Sequence, residues 1–458
     1  MKVKLLIRNG QVVFPHEGIL RADIGVKEGK IVGIYSDIEN VEAERVIDIG
    51  GKFILPGMID PHMHIGMGSN IENEYQSESR SAAIGGITTM ISFTNCTDSY
   101  HDHYQYEKKI GEEKSLVDFS LHFGLMNEIH LKEIPKYIEE FGITSFKIYM
   151  NFRGDEGKYM GIDGIDDGFM YDCFITLSKY PSSCAVIHAE NIEVGWRLRK
   201  KLIAEGRNDL KAWNDSKPGF IETEAIQRAI FYGAVAECQI YIAHLTTKDG
   251  LDLIRKNKVE NKKVFCETCP HYLTFNTYSE IGILGKVNPP LREQSDLEAL
   301  WAGLNDGTID SISSDHVARK REKKIGTIWT AAAGFPGVGT ILPILLSEGV
   351  NKRRLKIERI AEMNCKTARI FNLYPRKGTI RIGSDADFTI IDLALDKKVK
   401  AEDLKSGSDY SLYESWDLKG WPIMTIVRGE VIMDHGEIVG KPGYGVFLDR
   451  NITKNITD

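Results

Sequence analysis

Two hydrophobic rhythms divide this chain. Near the start, short apolar runs alternate with polar positions and break at glycine-containing turns. KLLIRNGQVVF carries an Asn9-Gly10 hairpin signal, and ADIGVKEGKIVGIYSDI turns at Glu28-Gly29-Lys30. The end of the chain repeats the pattern. GSDADFTIIDL and WPIMTIVRGEVIMDHGEIVG are β-rich, with turns at Arg428-Gly429 and His435-Gly436. The two ends are expected to join in one small β-domain, residues 1–54 and 375–458.

The middle, residues 55–374, has a different rhythm. Eight apolar runs recur, each followed by a more polar, helix-capable stretch. They are MIDPHMHI, TTMISFT, FSLHFGL, SFKIYM, CAVIHAE, QIYIAHL, KVFCETC and DSISSDH. Eight strand–helix units is the number that closes a (β/α)8 barrel, a TIM-like α/β fold. A chain of 458 residues accommodates such a barrel beside a smaller domain.

Composition narrows the classes. Hydrophobic residues make up 42% of the chain, enough for an extended core. A net charge of -7 argues against a nucleic-acid partner, which needs a basic footprint. No apolar run is long enough to span a bilayer. The first residues, MKVKLLIRNGQVVF, place charges inside their apolar stretch and read as a strand and turn, not a signal peptide. Seven scattered cysteines make no disulfide framework, so a reducing cytoplasm is the expected compartment. The tail NITKNITD is expected to fray, and its two Asn-Ile-Thr sequons carry no meaning there.

The chemistry sits at the ends of the expected strands. In Asp60-Pro61-His62-Met63-His64 the two histidines are two apart, so on a strand they point to the same side. Imidazole is a good ligand for zinc and similar ions. Alone, such a pair is as often two ordinary histidines. Lys147 lies within an apolar strand, where an unpaired ammonium is costly. His188, His244 and Asp315 each end another strand. Singly, each reads as a structural polar group. Five of eight strands ending in metal-type residues is a different matter, because a barrel's catalytic groups converge at those ends.

The order His-x-His, Lys, His, His, Asp resembles the binuclear branch of the amidohydrolase superfamily. More narrowly, the chain resembles cyclic amidohydrolases, namely hydantoinases and dihydropyrimidinases, with allantoinases and dihydroorotases as near relatives. The similarity runs through Leu55-Pro56-Gly57-Met58-Ile59-Asp60, Gly85-Gly86-Ile87-Thr88-Thr89 and Glu267-Thr268-Cys269-Pro270-His271-Tyr272-Leu273. It continues through Asn288-Pro289-Pro290-Leu291-Arg292, Gly383-Ser384-Asp385-Ala386-Asp387 and Gly420-Trp421-Pro422. The resemblance implies a β-sandwich from both chain ends beside the barrel. It implies two divalent ions, zinc first, held by His62, His64, Lys147, His188, His244 and Asp315. Lys147 would carry carbon dioxide as a bridging carbamate (N6-carboxylysine), an anion in place of an unwelcome cation. Hydroxide bridging the metals would attack the amide, with Asp315 as base and then acid. A homotetramer and a small cyclic-amide substrate are implied likewise.

Substrate choice is less closely specified. The usual oxyanion tyrosine, five residues after the lysine, is Phe152 here. Tyr149 is expected to face the other way, and a one-residue bulge leaves Tyr149 or Tyr159 open as substitutes. Ile65-Gly66-Met67-Gly68 after His64 lacks the carboxylate-binding arginine of dihydroorotases. Asn288 stands where hydantoinases tend to have serine, and its backbone is expected to meet the substrate ring. Phe152 and Gly337 are the other candidate substrate contacts. The family's proline after Asp315 is missing in His316-Val317-Ala318-Arg319.

Weaker motifs have bland readings. Cys266-Glu267-Thr268-Cys269 has CxxC spacing without a second pair, so it reads as a strand end. Gly334–Gly339 lacks the Gly-Lys-Ser/Thr of a phosphate loop and reads as a substrate-side loop. Arg319–Lys324 reads as a solvated charge run, with a lid or an anion-attracting role left open. A non-catalytic scaffold is the rival from another class, although all six ligand positions are filled. A one-metal deaminase is the other; that class lacks the bridging lysine and uses His-x-x-Glu.

Overall fold

The computed structural model describes residues 2–36, 41–159, 161–162 and 164–450, without the side chains of 155 and 159. The tail sequons and the Tyr159 side chain lie outside what is described. Its strands are β1 (Lys2–Phe14), β2 (Gly18–Lys27), β3 (Lys30–Tyr35), β4 (Glu42–Asp48), β5 (Phe53–Pro56), β6 (Met58–Met63), β7 (Ile87–Thr94), β8 (Asp118–Gly124) and β9 (Ser145–Tyr149). They continue as β10 (Cys184–His188), β11 (Ile240–Ile242), β12 (Val264–Thr268), β13 (Ser311–Ile312), β14 (Phe388–Lys398), β15 (Asp417–Val427), β16 (Glu430–Asp434) and β17 (Glu437–Ile438).

These strands form two sheets. The first has nine strands in the order β17-β16-β15-β14-β5-β1-β2-β3, with β4 on β1. It is mostly antiparallel and draws on both ends of the chain, as expected. Alternate inward residues, among them Leu5, Ile7, Ile24, Ile54, Phe388, Ile390 and Ile426, make its core. The second has eight strands in sequential order, β6 through β13, and is the nearly closed parallel barrel that the central rhythm predicts. Each expected apolar run supplies one of these strands. Contacts divide the chain into two compact units. One comprises Met1–Ile91, Lys108–Ser120 and Pro336–Leu448, the other Ser92–Glu107, Leu121–Phe335 and Asp449–Asp458.

The turns follow their backbone chemistry, with one correction. Glu28-Gly29, Arg428-Gly429 and His435-Gly436 all have paired positive φ, the mark of a two-residue type I′ turn. Asn9-Gly10 is not a hairpin. β1 runs straight through it, and one extra residue bulges between the Ile7–Ile24 and Gly10–Ala22 pairs. Asn9 takes φ 58°, and its backbone N–H donates to Asp23 Oδ1 (2.7 Å) while its Nδ2 donates to Asp48 Oδ2 (2.7 Å). Those side-chain acceptors hold the bulge, and the chain reverses later, between Phe14 and Gly18.

Gly383-Ser384-Asp385-Ala386-Asp387 serves a charge cluster in the first unit. Lys377, 1% exposed, donates to Asp118 Oδ2 (2.5 Å) and Asp387 Oδ2 (2.6 Å) and lies 3.0 Å from Asp385 Oδ2. Lys30 and Arg376 also bind Asp385, at 2.6 and 2.9 Å. In the second unit, buried Arg450 donates to Ser145 Oγ (2.7 Å) and to the Leu121 carbonyl. Ser145 also meets His122, whose ring stacks on Phe93 with centroids 4.4 Å apart.

Candidate metal centre

The six predicted ligands lie on the barrel strands or just after them. His62 is on β6, and His64 follows its end. Lys147 is on β9, His188 closes β10, His244 follows β11 and Asp315 follows β13. The His62 and His64 rings are 5.2 Å apart between centroids. Ligand atoms of His62, His64 and Asp315 all fall within 4.8 Å of one another, a spacing one metal ion bridges. His188 and His244 pair separately, with ring centroids 4.5 Å apart and planes at 75°.

Two of these groups sit on left-handed backbone. His244 and Asp315 have φ of 37° and 49°, in the left-handed region that side chains other than glycine rarely adopt. Such strain gathers at functional sites. Glu267 holds the first of them: its Oε1 accepts the His244 N–H (3.1 Å) and its Oε2 accepts the Tyr241 hydroxyl (2.8 Å).

Lys147 is the most telling residue. It is 1% exposed, and its Nζ has no hydrogen-bond partner among the described residues. It lies 4.4 Å from the Phe93 ring centroid and 5.4 Å from that of Tyr149. Burial lowers its pKa to about 8, against the pull of Glu267 and Asp315. Divalent ions fit this donor set: imidazoles, a carboxylate, and a nitrogen that no group among the described residues satisfies.

Glu190 and Lys217 are buried neighbours of His188 and Asn288 that sequence reasoning missed. His188 Nε2 lies 2.6 Å from Glu190 Oε2, leaving Nδ1 as the ring's other face. Lys217 Nζ donates to Glu190 Oε2 (3.2 Å) and to Asn288 Oδ1 (3.1 Å). Burial raises the Glu190 carboxyl, but Lys217 and His188 outweigh it and leave the pKa at about 2. Burial lowers the His188 pKa. A chain of contacts therefore links a ligand candidate to the Asn288 loop. The only signal in sequence was the Ile-His-Ala-Glu string itself.

Two expectations about side-chain direction are corrected. Tyr149 does not face away from Phe152. β9 ends at Tyr149, the Phe152 N–H returns to the Tyr149 carbonyl (3.1 Å), and the two rings stack at 4.3 Å. The charge run is not wholly solvated either. Lys324 is 3% exposed, and its Nζ donates to the Lys286 carbonyl (3.0 Å). Burial, with Arg319 and Lys286 nearby, brings its pKa down to about 6. Gly337 lines a small pocket with Ser81, Leu404 and Tyr410. Cys266 and Cys269 are buried, and burial pushes the Cys266 thiol up to about 12, the inert state of a packed cysteine. No described helix is long and apolar enough to cross a membrane.

Comparison with known proteins gives this geometry its family. Residues 215–432 match the amidohydrolase family. An L-hydantoinase of Paenarthrobacter aurescens is 38% identical over 457 residues, covering 97% of this chain and 98% of that one. A D-hydantoinase of Geobacillus stearothermophilus is 33% identical, covering 97% and 96%. An allantoinase of Salmonella choleraesuis is 32% identical, covering 98% and 99%. The solved L-hydantoinase (dihydropyrimidinase) of Arthrobacter aurescens superposes with a TM-score of 0.91 at 37% identity, covering 97% and 99%. With relatives this similar along nearly their whole length, the chain belongs to the amidohydrolase family.

Proposed function

We propose that this protein hydrolyses a cyclic amide, a hydantoin or dihydropyrimidine ring, at a two-metal centre. The observation that carries the reading is the buried Lys147 amine, without a hydrogen-bond partner among the described residues and set among strand-end histidines and Asp315. Relatives named hydantoinase support this substrate class.

His62, His64 and Asp315 would hold one ion, and His188 and His244 the other. Lys147 would join them after its neutral amine bonds to carbon dioxide and releases a proton, giving a carbamate. Bound zinc ions would supply hydroxide from water near neutral pH and polarise the scissile carbonyl. Asp315 takes the proton from the attacking water. It returns that proton to the ring nitrogen as the carbon–nitrogen bond breaks, so water is added across the amide. Glu190 fixes the His188 tautomer, and Lys217 ties Glu190 to Asn288, which with Phe152 would border the ring. The role of Gly337 rests on the sequence alone.

A panel of hydantoins, dihydrouracil, allantoin and dihydroorotate, assayed for ring opening, tests the reading. Turnover of a hydantoin or dihydropyrimidine is expected. Turnover of allantoin alone would favour the second reading, which the allantoinase relatives support. Lys147→Ala is expected to abolish activity and cut bound metal to one equivalent or none; unchanged turnover would sink the carbamate-bridged centre. The reading also carries a cytoplasmic location and a homotetramer, the latter checked by light scattering.

A further inference from the structure

Amide hydrolysis places a negative charge on the former carbonyl oxygen, and a preorganised donor there accelerates the reaction strongly. Phe152 has no proton to give. We propose that the Tyr149 hydroxyl is that donor, a catalytic residue of the reaction read above and dependent on that reading.

The geometry comes from β9. Residues two apart on a strand share a face, so Ser145, Lys147 and Tyr149 point the same way. Ser145 meets His122 and Arg450, Lys147 lies over Phe93, and Tyr149 follows them at the carboxyl end of the strand. Its ring centroid lies 6.4 Å from that of His188 and its ring is 5.4 Å from Lys147 Nζ. Stacking on Phe152 at 16° between planes fixes the ring's plane. The residue that removes the usual hydroxyl thus steadies another one.

Hydrogen bonding frees the proton. Asn95 Nδ2 donates to the Tyr149 hydroxyl oxygen at 3.1 Å. That oxygen accepts, and its own proton has no acceptor among the described residues. Other buried tyrosines of the same unit have committed theirs. Tyr241 donates to Glu267 (2.8 Å), and Tyr272 donates to the Pro289 carbonyl (2.7 Å). In the step, water's oxygen bonds the carbonyl carbon and the carbonyl π pair moves onto oxygen. The Tyr149 O–H shortens its hydrogen bond to that oxygen, and the proton stays on tyrosine.

The test begins with wild-type turnover on the cyclic-amide panel. No turnover there overturns the reading and this role together. Given turnover, Tyr149→Phe is expected to lower kcat about 100-fold or more, as loss of one oxyanion donor does, with KM moving by less than about 3-fold. Metal content should stay at the wild-type value. Adding Phe152→Tyr to Tyr149→Phe should recover about 10-fold of kcat by supplying a hydroxyl from the stacked partner. A Tyr149→Phe kcat within about 3-fold of wild type overturns only the Tyr149 role, and so does a loss matched by loss of metal. If that variant is insoluble, Asn95→Ala removes the orienting donor and keeps the hydroxyl. A kcat fall of about 10-fold is then expected, and an unchanged kcat overturns the role.

Discussion

As a proposed ligand, His188 would offer a metal only one of its two ring nitrogens. Nε2 is 2.6 Å from a fully buried Glu190 oxygen, so Nδ1 carries the available lone pair. A carboxylate behind a ligating histidine fixes its tautomer and raises its basicity. Glu190→Gln preserves shape and removes the charge. Its affinity for the second metal equivalent should fall about 10- to 100-fold, read by titration against a competing chelator. Equal affinities in variant and wild type would leave Glu190 as packing alone. Sequence put His188 forward because a histidine ending an apolar strand is conspicuous. Glu190 two residues on was not, because its meaning depends on Lys217, brought to it from 27 positions away by the fold. Tyr149 was misdirected for a related reason: its strand ends on it, and strand alternation says nothing about the turn that returns Phe152.

At the scale of elements, the eight barrel strands were legible because each is an uninterrupted apolar run, the signature of strands buried on both faces. The bulge at Asn9 was not, because Asn-Gly suits both a type I′ turn and a left-handed bulge, and distant Asp23 and Asp48 decide between them. The charge cluster around Lys377 was equally hidden, since its carboxylates come from positions 118, 385 and 387. Removing a buried cation strands its partners, so Lys377→Met should destabilise the fold by about 3–5 kcal/mol in urea unfolding. A loss under about 1 kcal/mol would mean that water or Arg428 takes over. Burial raises the Asp385 carboxyl, but Lys377 and Arg376 overcome it and hold the pKa near 2, below the ordinary 3.8. The folded value lies under the unfolded one. Its contribution is therefore complete above about pH 4 and is lost as the pH falls toward 2. Asp385→Asn should flatten that stretch of the stability–pH curve, and an unaltered slope there would contradict the assignment.

For the whole molecule, the six proposed ligand positions bear on stability as well as on the proposed chemistry. The chain accepts left-handed backbone at His244 and Asp315 and, among the described residues, a buried amine without a hydrogen-bond partner at Lys147. Each is a local cost of order 1–3 kcal/mol that a fold tolerates when something else offsets it. Metal binding would be such an offset, because the proposed ligands converge only in the folded chain. An ion that binds the native state alone stabilises it by roughly 4 kcal/mol at a thousand times its dissociation constant. Removing metal with a chelator should therefore abolish ring opening and also lower Tm by several degrees. Zinc together with bicarbonate should restore both, and zinc without a carbon dioxide source should restore them slowly, because the carbamate must re-form on Lys147. A chelated protein with unchanged Tm but lost activity would place the strain at His244 and Asp315 under the control of Glu267 and the barrel alone. Unchanged Tm and unchanged turnover together would remove the metal centre from the account.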